Sequence, residues 1–283
     1  LSVSGKRLGV EHLMTIERGL CRTPYGYIHY RRSGSAHARA VVISHINQQS
    51  SALMIELLEA FGARAQAIAI DYPGCGMSDH VEGQPTISDY AKCMVAVMDA
   101  VGVERATSLG EATGAFVAAD VAAAFSDRID GAVLVNCPYY SETYSSEQAH
   151  APLRGNLRPS DASGFPLTRT LEFVLQSDPT HAPVNANQSW MDRINVAQME
   201  AGRDRWQPLH ALGKHDLAAS MRRIDAPVLI MMGEHFHYTQ HLTRLQALAR
   251  HCAGEVIPGA RFCATWSHAS HIAARTLQFM GVS

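Results

Sequence analysis

Continuous apolar runs recur along the chain, each short and each followed by a stretch of helical period. The runs at 40–44 (AVVIS), 67–70, 106–109, 132–136 and 227–233 show no alternation, the pattern of strands buried on both faces of a parallel sheet. Between them, apolar residues at helical spacing predict helices over about 51–61, 86–101 and 113–125, with Gly62 as a stop signal and Ser88 as a cap. A helix near 239–252, a short strand at 255–257 and a helix ending near Met280 complete the series. Residues 25–30 alternate and read as an edge strand with Gly34 in the next turn, whereas 1–20 carry no clear pattern. Strands alternating with helices at this spacing predict an α/β fold built on a doubly wound, mostly parallel sheet.

From Pro138 to about Arg223 the aliphatic runs thin out, and Pro, Ser, Asn, His, Trp190 and Trp206 accumulate with helical patches at 167–176 and 190–201. This stretch reads as an inserted helical lid over 138–223, dividing a core domain of 1–137 and 224–283. The two tryptophans and the lid methionines are expected to pack the lid on the sheet and to border an apolar cavity at the C-terminal strand ends.

Composition narrows the partners. With 24 basic and 26 acidic residues in 283 and no like-charge run, the chain offers no field for nucleic acid or an anionic membrane surface. No apolar stretch approaches the ~20 residues of a membrane span. The six cysteines are scattered without a C-x-x-C pair, as expected for reduced thiols in a cytoplasmic protein. Neither a cofactor motif nor a metal-ligand spacing is present. A small-molecule ligand is the expected partner, and a homodimer is left open.

The chemistry converges on loops after the apolar runs. Gly110-Glu111-Ala112-Thr113-Gly114 joins strand to helix, the setting of a G-x-S-x-G nucleophile elbow, but its central residue is Ala112. Ser44-His45-Ile46 follows the first buried strand. Asp71-x-x-Gly74-x-Gly76-x-Ser78 follows the second, and Ile257-Pro258-Gly259-Ala260 precedes the last helix. In this order the chain resembles the α/β-hydrolase superfamily across nearly its whole length.

That resemblance implies a serine, a histidine and a carboxylate. The serine position is Ala112. The acid position, three residues after Gly233, is Phe236, and the base position after Pro258-Gly259-Ala260 is Phe262. Ile46 stands where the family has an oxyanion-loop glycine, and the backbone N–H of Thr113 is the other oxyanion-hole equivalent. Three readings follow: Ala112 replaces a serine by engineering, with a shifted base (His268 or His271) and a shifted acid (Glu234 or Glu142); the triad is naturally lost and the pocket reused; or the two loops are misaligned. Loss implies either an enzyme without a serine intermediate (lyase, cyclase, isomerase or atypical hydrolase) or a non-catalytic binding protein. The latter is similar in logic to the N-myc downstream-regulated family and the gibberellin receptor.

The candidate polar groups of the pocket are His45, Glu111, His235, His237, His268 and His271. The H-x-H-x-x-x-H look of His235, His237 and His241 lacks a carboxylate or cysteine to complete a metal site, and solvated rim histidines are the plainer reading. Glu111 is expected to support the turn, and His45 to hold the oxyanion loop.

Overall fold

In the computed structural model, which describes residues 16–139, 169–177 and 182–282, eight strands form one sheet in the order β1-β2-β4-β3-β5-β6-β7-β8. The strands are β1 Glu17–Thr23, β2 Gly26–Ser33, β3 Ala40–Ser44, β4 Gln66–Ile70, β5 Ala106–Glu111, β6 Ile129–Val135, β7 Val228–Gly233 and β8 Cys252–Ile257. All pairings from β4 onward are parallel; β1 with β2 and β2 with β4 are antiparallel. The described helices are α1 Ile55–Phe61, α2 Ile87–Ala100, α3 Thr113–Ala124, α4 Leu171–Ser177, α5 Gln188–Ala201, α6 Gln207–Gly213, α7 Leu217–Arg222, α8 Leu242–Gln246, α9 Ala264–Ser267 and α10 Ala269–Phe279. Helices α4 to α7 fall between β6 and β7. None of the described helices is long and apolar enough to cross a membrane.

Side chains alternate across each buried strand, so one strand feeds two cores. Val42 packs with Tyr90, Phe116 and other residues of α2 and α3 on one face. Val41 and Ile43 pack with Leu57, Phe61 and Ile272 of α1 and α10 on the other. This two-sided burial is why the strands read as unbroken apolar runs.

Three expectations are corrected. The segment 25–30 belongs to β2, which is internal; the edge is β1, paired with it from Glu17↔Arg32 to Thr23↔Gly26. Half-exposed β1 (Leu20 is 56% exposed) lacks the buried run that marks the other strands. The cap of α2 is Thr86, in a reciprocal box with Asp89, whereas Ser88 turns inward and donates to Asp120 at 2.8 Å. The helix expected over 239–252 is only α8, preceded by a short 3₁₀ turn at Thr239–His241.

Candidate active site

Parallel strands leave their C-terminal ends at one edge of the sheet, and the loops leaving those ends hold the chemistry. At the end of β5 the chain reverses into α3 at Ala112, whose backbone lies at φ 52°, ψ −111°. The turn depends on two glycines. A Cβ on Gly110 would sit 2.1 Å from Gly114 O, and one on Gly114 would sit 2.2 Å from Ser44 O. The strained residue between them is held by Ala112 N–H donating to Val135 O at 3.1 Å.

Among the described residues, the non-glycine positions with positive φ are Gln48, Ala112, Asn136 and Cys263. They lie on the loops after β3, β5 and β6 and on the turn into α9. Each such conformation costs of order 1–3 kcal/mol and persists only where surroundings over-determine it. Their convergence makes this edge the candidate site.

Glu111 explains part of that over-determination. Fully buried, its carboxylate accepts from Asn136 Nδ2 and Ala264 N at 2.8 Å through Oε1, and from Thr265 N at 2.9 Å and Thr265 Oγ1 at 2.6 Å through Oε2. Asn136 continues the network, donating to Arg261 O at 2.9 Å and accepting from Gly233 N at 2.7 Å. One buried carboxylate thus ties the elbow to the loop after β6 and the turn after β8, and through Asn136 to the end of β7. Burial pushes its pKa up, and the four donors oppose that shift without cancelling it. All its lone pairs are committed, so Glu111 offers a ligand nothing.

His45 is likewise spent. Tyr72 N–H donates to Nε2 at 3.3 Å, so the proton sits on Nδ1 and is donated to Ile46 O at 2.7 Å. Burial lowers the ring's pKa, in keeping with this neutral tautomer. Ile46 is buried in the same core as Ala112, Trp190, Met191 and Cys263.

Phe236 and Phe262 come from separate loops and meet as stacked rings, centroids 5.9 Å apart at 13°. Tyr238 meets Phe236 edge-on at 5.4 Å. Cys263, next to Phe262, is fully enclosed, and burial pushes its thiol pKa well up, with the Glu111 charge adding to the shift.

The other candidate histidines lie at exposed or half-buried positions. His235 is exposed beside Glu234, with 3.9 Å between Nε2 and Oε2. His237 is exposed next to Phe236 in the chain. His268 and His271, the candidates for a shifted base, have partners of their own. His268 Nδ1 pairs with Ser267 Oγ at 2.9 Å, and His271 Nε2 lies 3.8 Å from Glu255 Oε1 on β8. On α10, His271 thus faces the edge strand β8. Partial burial, then the neighbouring His271, lower the pKa of His268. Glu142 lies outside the described residues. Among the described residues no group of three or more His, Cys, Asp or Glu side chains is arranged to hold a metal.

A sequence profile of the alpha/beta hydrolase fold matches residues 39–269. The chain belongs to the alpha/beta hydrolase fold family. It is 37% identical over 79 residues to "Putative carbamate hydrolase RutD" of Azorhizobium caulinodans, covering 28% of this chain and 30% of that protein. It is 30% identical over 112 residues to haloalkane dehalogenase 2 of Mycobacterium bovis, covering 39% of this chain and 38% of that one. These matches therefore span about a third of either relative's length. Among solved structures, epoxide hydrolase CorEH superposes with a TM-score of 0.78 at 15% identity, covering 94% of this chain and 99% of that one. The enol-lactonase of Burkholderia xenovorans LB400 gives 0.71 at 19% identity, covering 93% and 100%. At such identities the likeness is one of fold.

Asn47, Gln48, Gln49, Asn136 and Cys263 join the candidate site only in three dimensions. A run of three carboxamides at the C-terminal end of a buried strand was the available signal for the first three.

Proposed function

We propose that this hydrolase-fold protein has lost the Ser-His-Asp relay as a unit, Ala112, Phe236 and Phe262 standing at its three positions. In this reading a lid over 138–223 encloses a small apolar organic molecule, which is transformed by a lyase, cyclase, isomerase or atypical hydrolytic step without a covalent serine intermediate. The observation that carries it is the stacked Phe236–Phe262 pair. An acid and a base on these two loops would have to touch in order to relay a proton, and the two side chains that do touch are hydrocarbon rings. They can neither take a proton nor orient a group that does.

What remains is shape and dipole. Thr113 opens α3, and the first N–H groups of a helix have no partner within it, so the positive end of the helix faces the elbow. Such a donor stabilises developing negative charge whatever side chain stands at 112. The names of the similar proteins (carbamate hydrolase, haloalkane dehalogenase, enol-lactonase, epoxide hydrolase) support a small organic ligand. The same aromatic pair also supports a second reading, a non-catalytic binding or interaction protein whose pocket is partly filled by Phe236 and Phe262.

The test is Ala112→Ser, assayed for p-nitrophenyl ester hydrolysis and fluorophosphonate labelling. A folded variant that stays inert and unlabelled is expected. Turnover with labelling would mean that a base and acid exist elsewhere and that Ala112 disables an otherwise ordinary serine hydrolase.

A further inference from the structure

The loop after β3 reaches three different walls of the elbow site with three consecutive carboxamides. Asn47 Nδ2 donates to Thr113 Oγ1 at 3.2 Å, beside Ala112. Gln49 Nε2 donates to Cys263 Sγ at 3.5 Å, on the turn that follows Phe262. Gln48, held at φ 59°, accepts from Gln198 Nε2 of α5 at 3.4 Å, so the third wall is a helix of the segment inserted between β6 and β7. A left-handed glutamine is uncommon, and here it turns one carboxamide toward α5 while its neighbours turn toward the core.

Three polar or charged groups near this rim are committed elsewhere. Glu111 is saturated by four donors, and both nitrogens of His45 are used by backbone. On α5, the Arg193 guanidinium donates to Glu56 Oε2 and Ala52 O, both at 3.1 Å, and lies over the Trp266 ring at 4.8 Å. A ligand carboxylate or ammonium entering here would lose its hydration, and Glu111, His45 and Arg193 are already committed and could not replace it. A neutral group is matched, because each carboxamide has both donors and acceptors and none titrates.

We propose that Asn47, Gln48 and Gln49, with Gln198 opposite, form the recognition end of the pocket and select an uncharged molecule. Its head is an amide, lactam or similar carbonyl group that both donates and accepts, and its apolar body lies toward Trp190 and Met191. This rests on the elbow pocket being a small-molecule site, and it names the substrate class for that site.

The experiment is a ligand-observed NMR titration of the full chain with phenylacetamide, phenylacetate and phenethylamine, which share a ring and differ in head charge. At neutral pH the amide is expected to bind at least about tenfold more tightly than either charged partner. Gln49→Leu should lower amide affinity several-fold. Asn47→Asp, nearly isosteric, should move the preference toward phenethylamine, which keeps the test open where the leucine variant does not fold. Phenylacetate or phenethylamine equalling the amide, no gain for the amine in Asn47→Asp, or no binding of any probe at millimolar concentration would overturn the proposal. Its failure is separable from that of triad loss. A labelled Ala112→Ser protein would sink the latter and leave the amide preference standing, and equal affinities would do the reverse.

Discussion

Removing Glu111 should unfasten the elbow from two loops at once. Truncation to alanine strands two backbone N–H groups, those of Ala264 and Thr265, in a fully buried site. Asn136 Nδ2 keeps its bond to Arg261 O, and the Thr265 hydroxyl can rotate away. Each stranded buried N–H costs about 1–3 kcal/mol, partly offset by no longer burying a carboxylate. A loss of about 3 kcal/mol is expected for Glu111→Ala.

Glutamine keeps the shape and one acceptor. Its NH₂ can donate to the Thr265 hydroxyl but faces one backbone N–H, so about 1–2 kcal/mol is expected for Glu111→Gln. The pH dependence supplies a second reading. Burial raises the folded-state pKa of Glu111 above its unfolded value, so the folded chain binds the proton more tightly. The associated stability is fully present below the unfolded pKa and is lost as pH rises through the raised folded pKa. Glu111→Gln lacks this limb, so the advantage of the parent chain over it should be largest at acid pH and shrink through that window. Urea midpoints at several pH values, with unchanged m, measure both effects. Alanine within about 0.5 kcal/mol of the parent, or glutamine costing more than alanine, would refute the reasoning.

Three further outcomes follow from the same geometry. Asp71 shows the opposite sign. Burial pushes its pKa up, but the His29 ring at 2.8 Å and the N–H of Ser51 at 2.5 Å outweigh it and leave the pKa lowered. Its stability is present above the unfolded pKa and lost as pH falls through the depressed folded one, so Asp71→Asn should flatten the acid limb of a pH–stability curve and cost about 3 kcal/mol at neutral pH. An unchanged acid limb would count against it. Gly114→Ala, with its Cβ 2.2 Å from the Ser44 carbonyl, should cost about 1–3 kcal/mol by thermal unfolding, because only backbone can give way. Ala112→Gly relieves a φ of 52° and should stay within about 1 kcal/mol of the parent, whereas Ala118→Gly in the middle of α3 should cost about 1 kcal/mol; the reverse order of melting temperatures would be wrong for a strained elbow.

Much of the fold was legible because it is written locally. A strand buried on both faces must be apolar at every position, which is why 40–44 could be bounded to the residue and 106–109 and 227–233 nearly so. Gly110 and Gly114 announced the elbow for a similar reason, since the contacts that forbid a Cβ belong to the turn itself and to the neighbouring strand. β1 was not legible, because its residues are half-exposed and only pairing with β2 defines it.

The sequence by itself determined the sheet class, the elbow and the identity of Ala112, because these rest on periodicity and on steric limits acting within a few residues. Only the tertiary structure decided which side chains meet. Glu111 finds Thr265 across 154 positions, Gln49 finds Cys263 across 214, and Phe236 stacks on Phe262 from another loop. The histidine positions 268 and 271 illustrate the limit. Their distance along the chain from the base position is small, yet His268 pairs with Ser267 and His271 faces Glu255 on the edge strand. Spacing along a chain fixes local direction, but the partner at the end of a side chain is set by how separate elements dock, and that is a property of the packed whole.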